Sequence, residues 1–335
     1  MSSTSTQWLR YCRLVVSTES ADGSNEQSLQ AIDLSNFRIR FLVDQALAGK
    51  PTTAEITIYN VAKSTVDQIP VPTNQNVQNS NIIVSLEAGY ENNHAVIFRG
   101  ELWWKTVWRE NETDTFMTLV CASGNRCQNY SVVNVSIPKG ATQNEILGIV
   151  AQTMKQNATN MTEIGSLMQT RLPRGKVIYK MTKDAMQGIA DTNNFDWCIG
   201  TNGLIAVRKD TSATDQETAS AIVLNARTGM IGRPKMTSVG LNVECLLNPQ
   251  IDVGTVIRIN NSQIQRDSYD TSYSAYSENV PRTNIYEDID GFYRVIARQH
   301  LGDTLGNDWY TSLICTALTG TQPINSSVYN FFPNT

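Results

Sequence analysis

The sequence predicts a mainly β chain with an α/β insertion: two antiparallel β-barrel domains flanking a small α/β module. Three observations carry that reading. Short runs in which apolar and polar residues alternate, such as Phe37-Arg38-Ile39-Arg40-Phe41 and Leu241-Asn242-Val243-Glu244-Cys245-Leu246, recur towards both ends of the chain and are bounded by Gly, Asn and Pro. That is the pattern of strands buried on one face. Between residues 126 and 210 the spacing becomes helical, with Ile146, Leu147, Val150 and Met154 on one stripe and Ala185, Met186, Ile189 and Ala190 on another. A length of 335 residues exceeds what a single hydrophobic core usually organises.

The first domain spans residues 1–125. After a polar start at Met1–Thr6, a strand over Trp8–Thr18 centres on Leu14-Val15-Val16, and Asp22-Gly23-Ser24-Asn25 makes a turn. Phe37, Ile39 and Phe41 set the apolar face of a second strand, with the arginines opposite. Lys50–Asn60 is a third, followed by a short helix over Ser64–Ile69. Ile82–Tyr90, Ala95–Trp108 and Thr115–Ala122 complete the set, separated by Glu91-Asn92-Asn93 and Asn111-Glu112. About six strands in such a length fit a closed barrel, which leaves no unpaired edge. Trp104 and Trp108 share a strand face and pack the barrel or a subunit contact; the alternative makes Trp103, Trp104 and Trp108 a stacking platform for bases or sugars.

The module spans residues 126–210. A short strand from Val132 leads through Ile137-Pro138-Lys139-Gly140-Ala141-Thr142 into a helix over Gln143–Gln156 capped by Thr142. A loop rich in Asn and Thr precedes a strand at Lys176–Tyr179, and Thr182 is expected to cap a second helix. Asp196–Ile199 and Leu204–Val207 form a hairpin turned by Thr201-Asn202-Gly203. Asp210–Ser220 reads as a polar linker without an element. The second barrel, 211–335, takes in Ile222-Val223-Leu224, Leu241–Leu246, Gly254–Ile259, Tyr293–Gln299 and Tyr310–Ala317. Its long loop, 260–290, carries Tyr269, Tyr273, Tyr276 and Tyr286, and reads as a partner-binding loop or a disordered one. Similar strand patterns on both sides of the module predict that the two barrels are alike.

Motifs in two regions of the chain resemble a known family. Thr228-Gly229-Met230-Ile231-Gly232-Arg233-Pro234, the run Val243-Glu244-Cys245-Leu246-Leu247-Asn248-Pro249 with Gly254, Ile257 and Ile259, and Gly291-Phe292-Tyr293-Arg294-Val295 resemble the C-terminal barrel of contractile-tail phage baseplate hub proteins. Pro51-Thr52-Thr53-Ala54-Glu55-Ile56-Thr57-Ile58-Tyr59-Asn60 before a helix resembles the first barrel of the same family, which extends to late control proteins and type VI spike hubs. The resemblance covers both barrels. It implies two tube-like domains per chain and a homotrimer whose pseudo-sixfold ring joins a sixfold tail tube to a threefold central spike. The implied partners are the tail tube protein, the central spike protein and other baseplate proteins. The implied location is the phage tail baseplate of the virion, after assembly in the host cytoplasm, with DNA passing through the channel without specific binding.

Composition narrows the alternatives. A net charge of −4 opposes sequence-independent nucleic-acid binding. No run of about 18 apolar residues and no basic-then-apolar leader at Met1 points to a membrane or to secretion. Cys12, Cys121, Cys127, Cys198, Cys245 and Cys315 are scattered through apolar patterns and read as free, buried thiols. His300 with Asp303 forms either an acid/base or metal pair or simply a hairpin tip, and His94 sits in a turn. No catalytic, cofactor-binding or metal-ligating residue is assigned. Pro138–Thr142 ahead of a helix resembles peptidoglycan-binding LysM modules, which keeps a cell-wall-binding protein, or a tail-associated peptidoglycan hydrolase with Glu145 or Asp184 in the module, as the alternative function. From Leu241 onward ten acidic residues face five arginines and no lysine, which predicts an acidic channel wall that repels a passing polyanion.

Overall fold

The computed structural model describes residues 9–20, 31–69, 80–154, 171–201, 203–208, 215–237, 240–260, 262, 264 and 291–318. Its first third holds β1 (Arg10–Ser20), β2 (Ile32–Asp33), β3 (Ile39–Ala46), β4 (Thr53–Tyr59), α1 (Lys63–Gln68), β5 (Ser80–Tyr90), β6 (Asn93–Arg109) and β7 (Thr115–Ala122). The middle holds α2 (Asn125–Tyr130), β8 (Val132–Ile137), α3 (Gln143–Thr153), β9 (Lys176–Met181), α4 (Thr182–Asn193), β10 (Phe195–Gly200) and β11 (Gly203–Arg208). The last third holds α5 (Asp215–Ala219), β12 (Ile222–Val223), β13 (Met230–Met236), β14 (Leu241–Leu246), β15 (Val256–Arg258), β16 (Phe292–Asp303) and β17 (Trp309–Ala317).

The chain is mainly β, and its strands repeat one order. In the first third neighbours run β3-β4-β7-β6-β5-β1; in the last third they run β13-β14-β17-β16-β15-β12. Registers match as well as order. Ala54 lies opposite Cys121 as Leu241 lies opposite Cys315. A β-bulge falls between Leu102 and Trp104 in the β6–β7 pair and between Val295 and Ala297 in the β16–β17 pair. These registers make Trp104 the counterpart of Ala297, Val107 of His300 and Trp108 of Leu301. The repeats depart in one pairing: β1 runs antiparallel to β5, whereas β12 runs parallel to β15.

The repeats are not separate. β17 lines one edge of β16 from Tyr293 to Gly302, while β15 takes the other edge at Phe292–Arg294 and β3 takes it from Ala297 to Asp303. One sheet of thirteen strands, antiparallel except for the β12–β15 pair, therefore passes from one repeat into the other. Alternation builds its cores. Ile39, Phe41 and Val43, then Ala54, Ile56 and Ile58, then Met117, Leu119 and Cys121 turn the same face inward to a first cluster, shared with Leu14, Val84 and Leu86. Leu241, Val243, Tyr293, Val295, Leu313 and Cys315 form a second in the last third. Each buried Val, Leu, Ile, Phe or Met among them contributes about 1.5–3 kcal/mol. Among the described residues the pairings do not return either repeat to its first strand.

The module has its own cluster, with Ile146, Leu147, Val150, Met186 and Ala190 of the two longer helices against Phe195 and Trp197. Thr142 caps α3 as expected: Glu145 N donates to its Oγ1 at 3.3 Å, and Thr142 N donates to Glu145 Oε2 at 2.9 Å, a complete capping box. Thr182 does not cap α4. It is the first helical residue, fully buried, and its hydroxyl instead meets Ser131 Oγ at 2.8 Å and Thr153 Oγ1 at 3.2 Å. The stretch read as a bare linker holds α5, tied to the sheet by Arg294 Nη1 donating to Glu217 Oε1 at 3.2 Å. Five residues are too few to display a helical period. The module docks on the first repeat through the β3–β4 turn, where Gly49 N donates to Trp197 O and Thr52 N to Ile199 O.

Candidate functional site

For a chain without a catalytic motif the informative geometry is where sheets join. At the β3–β16 seam Phe41 and Trp309 interlock across Gly302, their rings edge-to-face with centroids 5.4 Å apart. A Cβ on Gly302 would lie 2.3 Å from Phe41 Cζ and 2.9 Å from Trp309 Cε3, so only glycine fits. Trp309 Nε1 donates to Gly89 O at 3.1 Å, drawing in the β5–β6 hairpin. Arg38 donates to both carboxylate oxygens of Asp303, at 3.2 and 2.7 Å, and this holds the Asp303 pKa below the usual carboxylate value. Arg10 donates to the carbonyls of Asp303, Gly306 and Asn307, so β1 grips the β16–β17 turn.

A buried polar layer crosses the seam. Arg298 donates to Ile251 O at 2.9 Å and approaches Asp252 Oδ1 at 3.3 Å, and Gln45 donates to Cys198 Sγ at 3.9 Å. His300 Nδ1 pairs with Thr311 Oγ1 at 2.8 Å. Gln45 Oε1, Arg298 Nε and His300 Nε2 are buried without a protein partner. Burial, and then the charge of Arg298, hold the His300 pKa well below 6.5, so this imidazole is neutral at neutral pH.

This geometry corrects two expectations. His300 is not at a hairpin tip: it lies inside β16, fully buried, because strand β3 covers the edge that a sequence read in isolation leaves open. Asp303 closes the strand and belongs to Arg38, so the two do not form an acid/base pair. Trp103, Trp104 and Trp108 do not pack the barrel; they are 59%, 60% and 64% exposed. The bulge turns Trp103 outward beside Trp104, and the inward place between Trp104 and Thr106 goes to Lys105, which donates to Val66 O and Ile69 O at the end of α1. His94 stacks on Tyr11 at 4.0 Å and meets Glu87 at 2.6 Å. Glu145 belongs to the capping box, and Asp184 is exposed in the first turn of α4.

Cys121, Cys198, Cys245 and Cys315 are free and buried and Cys12 is half-buried. Burial pushes the Cys198 and Cys245 thiols up to about 12. Among the described residues no group of three or more His, Cys, Asp or Glu side chains is placed to hold a metal ion, and no helix is long and apolar enough to cross a membrane. Residues 265–290 of the long loop, with its four tyrosines, lie outside the described residues, as does the tail 322–335.

What the sequence reading missed is an edge. β6 pairs with β5 through Glu101 and with β7 from Glu101 to Arg109. Because Glu101 has a partner on each side, the edge opposite β7 carries no strand over 103–109 among the described residues. The profile of the family described as Baseplate hub gp41 matches residues 28–274, which includes both seam strand β3 and edge strand β6. The chain belongs to this baseplate hub family. Baseplate hubs are structural components of phage tails. The fold is also similar to solved structures. One is the 43 kDa tail protein of prophage MuSo2 from Shewanella oneidensis, at 8% identity over 91% of this chain and 98% of that one, TM-score 0.48. Another is the E. coli c3393 protein, a component of the type VI secretion system, at 7% identity over 91% of this chain and 79% of that one, TM-score 0.50. A chain of the Francisella PdpA–VgrG complex matches at 7% identity over 96% of this chain and 60% of that one, also with a TM-score of 0.50. At such identities the likeness is one of fold. No curated protein matches the sequence.

Proposed function

We propose that this hub protein is a homotrimer that joins the sixfold tail tube of a contractile phage to its threefold central spike. The observation that supports this is the repeated strand order: two like units in one chain let three copies present six similar units. A threefold object then meets a sixfold one without a new type of contact. In this reading residues 1–125 and 211–335 are tube-like units closed as barrels in the assembly, and 126–210 is a peripheral spacer. The tail tube protein, the central spike protein and other baseplate proteins are its partners. The hub is assembled in the host cytoplasm and carried in the virion, and DNA passes its acidic channel without specific binding. Native mass of the purified chain, with and without neighbouring tail proteins, tests the stoichiometry. Cryo-electron microscopy of the assembled tail tests the position. A monomer bound off the tube axis, or a lumen lined mainly by arginine, would overturn the reading. Clearing of a peptidoglycan gel that is lost with Glu145→Gln or Asp184→Asn would favour the hydrolase instead.

A further inference from the structure

The two repeats differ in one respect that bears on assembly: the edge used in one is open in the other. In the last third, β16 leaves β15 after Arg294, bulges at Ile296, and offers the freed edge to β3. In the first third, β6 leaves β5 after Glu101 and bulges at Trp103, and among the described residues nothing takes the freed edge from Trp104 to Arg109. The counterpart of β3 is β13, which among the described residues is the terminal strand of the sheet and pairs only with β14. An open strand edge is a template for another strand. Here donor and acceptor are present on the same chain, but on strands well separated in one sheet.

We infer that β13 of a second copy adds antiparallel to the free edge of β6, repeating between chains the β3–β16 seam made within each chain. This rests on the hub reading above and specifies its contact. Transferring the register of Leu42 opposite Leu301 and Val43 opposite His300 sets Lys235 against Trp108 and Met236 against Val107. Glu110, the counterpart of Asp303, then falls against Ile231, and the bulged residues between Ile231 and Lys235 lie against Arg109. Trp108 and Val107 are exposed in the single chain, at 64% and 49%. Arg233 and Lys235 are exposed as well. Because acceptor and donor are different surfaces, the contact is heterologous, the type that builds rings or filaments rather than twofold dimers, and a closed trimer is the ring it makes in the hub reading.

The test is a full-length chain carrying Val107→Cys and Met236→Cys together, treated with a short thiol-to-thiol cross-linker, beside both single variants and in parallel with native mass. Expected is a ladder of covalent dimer and trimer from the double variant only, and a native trimer. A second variant, Trp108→Asp, is expected to weaken assembly at least about 30-fold, as loss of a central aromatic contact does, with an unchanged circular dichroism spectrum. A trimer that yields no ladder and survives Trp108→Asp overturns this seam and leaves the hub reading standing. A chain that is monomeric with and without neighbouring tail proteins, and that never cross-links, overturns both.

Discussion

Replacing His300 by valine tests whether the seam holds a neutral imidazole. Valine is what the first repeat carries at that place, as Val107. At neutral pH the substitution removes a hydrogen bond worth about 1 kcal/mol, and it also removes the buried unpaired Nε2, whose release offsets a similar amount. Thr311 Oγ1 keeps the hydrogen bond donated by Asn248 N. The two chains should therefore agree to within about 1 kcal/mol near about pH 7.5. Acid separates them. The folded imidazole titrates well below 6.5, whereas the unfolded chain takes the proton at about 6.5. Below that pH the unfolded state binds more protons than the folded one, so stability falls by about 1.4 kcal/mol per pH unit until the folded imidazole itself titrates. At about pH 5 His300 alone costs the wild type up to about 2 kcal/mol, and H300V lacks this loss. Urea denaturation followed by circular dichroism across this pH range reads the difference, because the carboxylates common to both chains cancel. Parallel stability curves for the two chains would refute the assignment of a buried neutral imidazole.

Three further outcomes follow from the same geometry. Gly302→Ala drives a Cβ into Phe41 and Trp309 and should cost about 3 kcal/mol, the upper end for overpacking, read as a lower urea midpoint. Thr142→Ala breaks the capping box of α3 and should cost about 1 kcal/mol; an unchanged midpoint would mean that the cap contributes nothing. Cys121, Cys198, Cys245 and Cys315 are buried with raised pKa values, so a thiol reagent at mildly alkaline pH should reach them only after unfolding. Their rapid modification in the native chain would contradict the packing described.

Much of this fold was legible because a half-buried strand writes its burial into every second residue. The repeat was legible in one place that went unread: Asp114 followed by Thr118-Leu119-Val120-Cys121 matches Asp308 followed by Ser312-Leu313-Ile314-Cys315, which are register equivalents in β7 and β17. Other strands have kept the alternation and lost the identities, since a sheet face asks for apolar character rather than a particular side chain. The β3–β16 seam was not legible. It joins residues some 250 positions apart, and nothing local in either strand marks its partner. For that reason His300 looked like a turn residue, and Trp104 and Trp108 could be read as packing either the barrel or a subunit contact, of which their exposure leaves the second. Thr182 was misread because a buried hydroxyl cluster and a helix cap ask for the same residue type.

The contrast between the two edges has an energetic logic. β3 and β16 belong to one chain, so their meeting is intramolecular and needs little apolar area once the register is set. Ala297 and Leu301 suffice there, locked by Arg38, Asp303 and the Phe41–Trp309 pair. Joining separate copies forfeits translational and rotational freedom, at a cost of about 4–15 kcal/mol. At the same places β6 carries Trp104 and Trp108, with Trp103 in the bulge for Ile296. If assembly covers on the order of 100 Å² of each indole, the three together supply roughly 7 kcal/mol at about 25 cal/mol per Å², which falls within the range required. Giving β6 the residues of β16, by Trp103→Ile, Trp104→Ala and Trp108→Leu, should therefore leave the chain folded but monomeric. All three tryptophans are solvent-exposed in the single chain, so its circular dichroism spectrum should not change. Analytical ultracentrifugation of this triple variant decides the point: a persisting trimer would mean that these indoles contribute nothing to assembly.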